Sequence, residues 1–170
     1  MIKVAITGPE SSGKTTLSEQ LANHFNVEWV PEFARTYLIE TGGAYTQEDL
    51  DFIAKGQFEE MEKVQDRELV FYDTDLTVIK IWSEYKYNSS STKIDEFLRK
   101  QEVDLYLLCK PDLPWEEDPL RENPNNREVL YDLYLDALKD KGVTFAIISG
   151  TPKERLEHAI ATVNTVFKKS

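Results

Sequence analysis

Cysteine, histidine and positive charge are all scarce in this chain, and each scarcity removes a class of protein. One cysteine, Cys109, stands among 170 residues, so no internal disulfide framework exists and a reduced, cytoplasmic setting is expected. Its place in the apolar run 105–109 points to core packing. The two histidines, His24 and His158, lie far apart with no ligand company, which leaves zinc chemistry unsupported. Neither a C-x-x-C pair nor a G-x-S-x-G elbow occurs, so redox pairs and hydrolase triads have no footing. No run approaches the roughly 18 apolar residues of a membrane span, and residues 1–6 enter an apolar strand without the regions of a secretion signal. Lysine and arginine number 20 against 31 aspartates and glutamates, a formal charge of −11. Such a field repels polyphosphate backbones and anionic surfaces, so neither nucleic acid nor a membrane is an expected partner.

What remains suffices for one core. With 41% hydrophobic residues, residues 1–170 read as a single α/β domain with no room for a second catalytic one. Short apolar runs at 2–7, 27–30, 69–72, 104–109 and 143–148 predict five strands, the last three apolar enough to be covered on both faces, and their alternation with helices argues a parallel sheet. Leu17, Leu21 and Phe25 recur at helical spacing after the first strand. Thr46 with Asp49 predicts a capping box opening a helix whose buried stripe is Leu50, Ile53, Ala54, Met61 and Val64. Thr151 before Pro152 opens the last helix, which shows Leu156, Ala159, Ile160, Val163 and Phe167 on one face. Residues 88–92 are a polar connection between helices. Residues 110–126 hold four of the seven prolines with Trp115 and Arg121, and a long loop of that make-up reads as a functional lid, ending about Arg127.

The sharpest motif is Gly8-Pro-Glu10-Ser11-Ser12-Gly13-Lys14-Thr15, directly after the first strand and opening the first helix, the context that G-x-x-x-x-G-K-[ST] requires. The bare pattern occurs by chance in on the order of 10⁻² of chains this long. Gly8 and Gly13 let the loop turn back so that its N–H groups converge on phosphate oxygens at a helix N-terminus. Lys14 supplies a point charge to the β- and γ-phosphates of ATP, the Thr15 hydroxyl is placed for Mg²⁺, and Ser12 and Thr16 add donors.

Ligands of open α/β sheets bind at the carboxyl edge of the strands. Asp73, at the end of the third strand, is placed to hold the Mg²⁺ shell or to accept a proton from a substrate hydroxyl. Asp75 either joins it at the substrate or caps the next helix. After the second strand, Glu32 and Arg35 share a face if a helix begins there, and they act together on a hydroxylated substrate or pair with each other at the surface. Glu32 and Asp73 are rival general bases. Arg121 and Arg127 in the lid are candidates to stabilise charge on a transferring phosphoryl group and to exclude water. The turn at Gly150 to Pro152, with Arg155 near by, is a weaker candidate to flank an adenine.

Without N-K-x-D or L-S-G-G-Q motifs, a guanine switch and a transporter motor are disfavoured, and a kinase for a small hydroxylated substrate fits. The P-loop string, Val30-Pro-Glu-Phe-Ala-Arg35, Asp73-Thr-Asp75, Trp82-Ser-Glu84, and above all Pro111-Asp-Leu-Pro-Trp-Glu116 with Asp118-Pro-Leu-Arg-Glu-Asn-Pro124 resemble the ribosylnicotinamide kinase domain of the NadR-type family, over nearly the whole chain. The resemblance implies a P-loop kinase fold with strand order 2-3-1-4-5, helices on both faces, and transfer of the ATP γ-phosphoryl to the 5′-hydroxyl of nicotinamide riboside. Members of that family that carry an adenylyltransferase or a DNA-binding domain place it ahead of the kinase, whereas this chain starts at the P-loop strand. A stand-alone kinase is therefore the expectation. Val30-Pro-Glu32 also resembles the acceptor site of deoxynucleoside kinases, where the matching glutamate is the base. That likeness defines the first alternative, a nucleoside kinase of other base specificity; a second, from another class, is an ATP-binding regulatory module without turnover. Phe33, Tyr37, Trp82 and Trp115 are candidate stacking partners for the nicotinamide ring, each also suited to plain packing.

Overall fold

The computed structural model describes residues 1–64 and 68–168, save the side chain of Phe167, so the expected place of that ring on the last helix falls outside the described residues. Five parallel strands form one sheet in the order β2-β3-β1-β4-β5. They are β1 (Ile2–Thr7), β2 (Trp29–Val30), β3 (Leu69–Asp73), β4 (Leu105–Cys109) and β5 (Phe145–Ile148). The helices are α1 (Lys14–Phe25), α2 (Phe33–Glu40), α3 (Gln47–Lys63), α4 (Leu76–Tyr87), α5 (Thr92–Lys100), α6 (Arg127–Lys141) and α7 (Pro152–Phe167).

Alternation along the strands divides the core in two. Val4, Ile6, Phe71, Leu107 and Cys109 pack against α1 and α7, while Ala5, Val70, Tyr72, Tyr106 and Leu108 face the layer of α2 to α6. All residues of β3 and β4 are buried, as continuous apolar runs predict. The expected capping box forms at Thr46 with Asp49, and Thr151, the expected N-cap of α7, makes a second one with Glu154.

The edge strands depart from expectation. Strand β2 has two residues, because the Val27 N–H donates to Ala22 O (3.0 Å) behind the left-handed Asn26 and so finishes α1 instead of starting a strand. Strand β5 begins at Phe145, pairs with β4 alone, and leaves Ile147 37% exposed, so it is not covered on both faces. Val64 follows the end of α3 as its C-cap.

Register then sets the site. Ile6 lies opposite Asp73 and Val30 opposite Tyr72, so Gly8, Glu32 and Asp73 leave the sheet at one level of its carboxyl edge. Lys110 N–H donates to Ile148 O (2.8 Å) as the chain leaves β4 for the irregular segment 110–126.

Candidate active site

Gly8 has φ 135°, and a Cβ on it would stand 2.7 Å from the carbonyl oxygen of Cys109, so the loop passes too close to β4 for any side chain. Gly13 (φ 80°) precedes α1 without a side-chain cap, which leaves the first-turn N–H groups of α1 available to an anion. Ser12 is buried and its Oγ donates to Pro9 O (2.7 Å), so this hydroxyl braces the loop from within and is not the free donor the sequence suggested. Lys14 Nζ donates to the same carbonyl (3.0 Å). Cys109 is fully buried and its thiol is pushed up to about 11 by burial, as a packing residue should be.

Thr15 Oγ1 donates to Asp73 Oδ2 (2.6 Å), while Asp73 Oδ1 is buried with no partner among the described residues. Burial raises the Asp73 carboxyl above its ordinary range against the opposing Thr15 hydrogen bond and Lys14 charge. Asp75 is the N-cap of α4: its Oδ2 accepts from Thr77 N (3.0 Å), Thr77 Oγ1 (2.6 Å) and Gln101 Nε2 (2.9 Å). Fully buried and absent from the cavity wall, Asp75 is a structural cap and not a substrate ligand.

A cavity of about 500 Å³ runs along this edge. Its floor is residues 8–16. Glu32 and Arg35 stand at its side, and Arg121, Leu113 and Leu120 of the lid close it. Beyond Glu32 the wall turns apolar and aromatic, with Val78, Ile81, Trp82, Tyr85, Leu130 and Tyr134. Glu32 is partly buried and accepts no hydrogen bond from any described residue. Burial raises its carboxyl, Asp73 and Glu10 reinforce the shift, and Lys14 and Arg35 oppose it. Arg35 does not pair with Glu32. Its partner is Asp118 of the lid (2.9 Å).

The lid lies on the phosphate loop. Ser11 Oγ accepts from Glu116 N (2.9 Å), and Arg121 donates to Glu116 O and reaches Ser11 Oγ (3.5 Å). The Glu10 carboxylate accepts from the amides of Glu122 (3.2 Å to each oxygen) and Asn123 (2.8 Å), so this loop side chain holds the lid. Arg127 donates to Ser11 O and Leu113 O (3.0 Å each) and is not on the cavity wall; at the first turn of α6 it braces lid and loop. Arg155, 3% exposed, braces the loop by tying Ser12 O (2.9 Å), Lys110 O (2.7 Å), Gly150 O (2.9 Å) and Asp112, and unlike Arg127 it lines the cavity, as does Pro152.

Of the four candidate stacking rings, Trp82 reaches the cavity. Phe33 fills the space over Gly56, Tyr37 bonds Asp49 (2.5 Å), and Trp115 lies under Arg121 and Arg127 (5.9 and 5.6 Å). Tyr85 and Tyr134 were not foreseen. Val78, Ile81, Trp82 and Tyr85 fall at i, i+3, i+4 and i+7 of α4, a stripe that ends in aromatics and lines this wall.

A family model described as an AAA domain matches residues 3–155. This chain belongs to that AAA-domain P-loop family. Among curated relatives, the AAA-domain chain is 30% identical over 150 residues to the trifunctional NAD biosynthesis/regulator protein NadR of Salmonella typhimurium, covering 84% of this chain and 37% of that protein. It therefore spans about a third of the length of the curated relatives it matches. Among solved structures, NadR in complex with NAD and AMP-PNP superposes with a TM-score of 0.78 at 22% identity, over 96% of this chain and 49% of that one. NadR in complex with NR gives 0.76 at 20% identity, over 96% and 51%. Thymidylate kinase from Ehrlichia chaffeensis gives 0.73 at 18% identity, over 96% and 98%. The five-stranded AAA-domain sheet has the P-loop kinase order 2-3-1-4-5, as the sequence resemblance implied.

Proposed function

We propose that this chain transfers the γ-phosphoryl group of ATP to the 5′-hydroxyl of a nucleoside, with nicotinamide riboside as the acceptor. One observation carries the reading: a single cavity is lined both by the phosphate loop and by the aromatic residues Trp82, Tyr85 and Tyr134, and Glu32, whose carboxylate has no hydrogen-bond partner among the described residues, lines it as well. A phosphate donor and a flat-ringed acceptor fit end to end in such a space.

In this reading the loop amides and Lys14 hold the β- and γ-phosphates. Glu32 accepts the 5′-hydroxyl proton as that oxygen bonds to phosphorus and the bond to the ADP oxygen breaks; the proton then leaves Glu32 for water. Asp73 is the poorer base, because it stands behind Thr15 and off the cavity wall. Thr15 and Asp73 instead fit a magnesium ion. They offer a hydroxyl and a buried carboxylate with an open oxygen, and no group of three His, Cys, Asp or Glu that could hold a metal ion occurs among the described residues. Two hard oxygens suit an ion that keeps waters and phosphate oxygens around it. When bound, the ion neutralises charge on the phosphates. Arg121, on the cavity wall, is the lid residue that meets charge on the transferring group.

The pyridinium of nicotinamide riboside is a cation, and the cavity that would take it is lined by the aromatic residues Trp82, Tyr85 and Tyr134 and by the acidic Glu32. The relatives add support, since NadR is named for NAD biosynthesis and has been crystallised with NR. Acceptor-dependent ADP formation with Mg-ATP, comparing nicotinamide riboside with a panel of ribo- and deoxyribonucleosides, tests it. Strong stimulation by nicotinamide riboside alone is expected. A neutral nucleoside working better replaces the substrate and keeps the mechanism, whereas ATP binding without stimulation by any acceptor leaves a regulatory module.

A further inference from the structure

Glu122, the residue after Arg121, is tied at both ends. Its amide donates to both carboxylate oxygens of Glu10 in the phosphate loop (3.2 Å each). Its side chain accepts from Tyr45 Oη (2.6 Å) and Lys86 Nζ (2.9 Å). Tyr45 Oη in turn accepts from Trp82 Nε1 (2.9 Å) and Lys86 Nζ (2.5 Å), and its ring stands edge-on to Trp82 at 4.8 Å. A continuous chain therefore runs from Glu10 through Glu122 and Tyr45 to Trp82, from the donor floor across the lid to the acceptor wall. Arg121 and Trp82 both face the cavity.

Resting on the kinase reading, we infer that Glu122 is a positioning residue. It sets Arg121 over the phosphates, and through Tyr45 it links that placement to an acceptor seated against Trp82. Fold stability does not account for the cluster, since the side chains of Lys86 and Glu122 are 36% and 42% exposed and exposed pairs hold folds weakly. Its place does. Segment 110–126 contains no helix or strand, so the side chains that hold it, together with Arg121's own bonds to Glu116 O and Ser11 Oγ, decide where Arg121 points. The inner ties, Arg127 to Leu113 O and Arg35 to Asp118, grip the lid before Arg121, and Glu122 grips it immediately after.

The test compares Glu122→Ala, Glu122→Gln and Tyr45→Phe with wild type in three measurements. These are steady-state kinetics for ATP and nicotinamide riboside, ADP release without acceptor, and hydrogen exchange of the 122 and 123 amides in nucleotide-free protein. Glu122→Ala is expected to lower kcat roughly 10–100-fold with the KM for ATP changed less than about twofold. Acceptor-independent ADP release rises relative to productive turnover as water enters. The two amides exchange about tenfold faster although Glu10 is intact. Glu122→Gln, which keeps the Tyr45 hydrogen bond and loses the attraction to Lys86, restores most of kcat. Tyr45→Phe moves the same quantities in the same direction, less far. Wild-type exchange at 122 and 123 in Glu122→Ala overturns the tether and leaves the kinase reading standing, as does a loss confined to the KM for ATP. If Glu122→Ala does not fold, Glu122→Gln and Tyr45→Phe decide alone, and wild-type kinetics in both overturns the inference. No ADP from wild type with any acceptor fells the kinase reading and the acceptor linkage with it, whatever the amides show.

Discussion

The phosphate loop and the lid are both irregular and face the same cavity, yet they are held by different means. The loop at residues 8–13 is fixed by backbone sterics and buried contacts: Gly8 passes where a Cβ would meet the Cys109 carbonyl at 2.7 Å, Ser12 is bonded inside the loop, and Arg127 and the buried Arg155 grip the carbonyls of Ser11 and Ser12. The lid at 110–126 is fixed by side chains that reach it from elsewhere, Glu10, Arg35, Lys86, Arg127 and Arg155. Backbone packing gives the floor one shape. Side-chain ties give the lid a shape that ligands and solvent conditions can shift, which suits a part that admits substrate and then excludes water.

The sharpest way to probe the floor is Glu32→Gln. It lowers kcat roughly 10²–10⁴-fold if Glu32 takes the hydroxyl proton. Stability moves the other way. Burial, reinforced by Asp73 and Glu10 and opposed by Lys14 and Arg35, raises the native Glu32 carboxyl above its ordinary value. Between the ordinary and raised values the native state binds the extra proton, so stability falls as pH rises through that window, and the ionised form above it is the less stable one. Glu32→Gln removes that ionised group. Its thermal midpoint at pH 7 therefore equals or exceeds wild type, and the gain disappears below the ordinary glutamate range. In wild type the acidic limb of kcat/KM lies above that range, and the variant lacks it. A variant with lowered midpoint and unchanged kcat returns Glu32 to a structural role.

Lys14→Ala comes next, with kcat lower by roughly 10²–10³-fold through lost stabilisation of phosphate charge. Circular dichroism and melting check that the loop survives, as it should where the sterics of Gly8 and the Ser12 bond to Pro9 O remain when the Lys14 bond to that carbonyl is lost. Arg121→Ala tests the lid, and a loss of roughly 10–100-fold in kcat, exceeding any change in acceptor KM, is expected. The reverse pattern makes Arg121 an acceptor clamp.

The same division explains what the sequence discloses. Each residue of the phosphate loop answers to one local requirement, a turn, a charge or a hydroxyl, so spacing alone reveals it. Glu32 and Asp73 are legible because parallel register brings strand ends to one level. Asp75 is not, since two residues from Asp73 the same side chain serves as a cap, and the difference depends on Thr77 and Gln101. The lid announces itself by its prolines and Trp115, but its partners do not. Glu10 and Glu122 are 112 positions apart, and Arg127 ends on carbonyls that any residue supplies. Tyr134 stays hidden because α6 buries Leu130, Tyr131, Tyr134 and Leu138 among charged neighbours, and tyrosine blurs the apolar stripe.

Salt separates the two regions most gently. Raising ionic strength from about 0.1 M to about 1 M shortens the screening length from about 10 Å to about 3 Å. The pairs Arg35 with Asp118 and Lys86 with Glu122 have side chains up to 53% and 42% exposed and lie within its reach, whereas Gly8 is held by backbone packing and Ser12 by its bond to Pro9 O and by the buried Arg155, which salt screens little. Lid amides at 121–123 are therefore expected to exchange about two- to fivefold faster at high salt, with those of β1 and the first turn of α1 unchanged. Turnover falls by a similar factor. Hydrogen exchange read by mass spectrometry in sodium chloride and again in sucrose distinguishes screening from a general solvent effect. Equal loosening of floor and lid means that the lid ties carry the phosphate loop as well, and the two loops are then a single unit in which Glu10 and Arg127 are the joints.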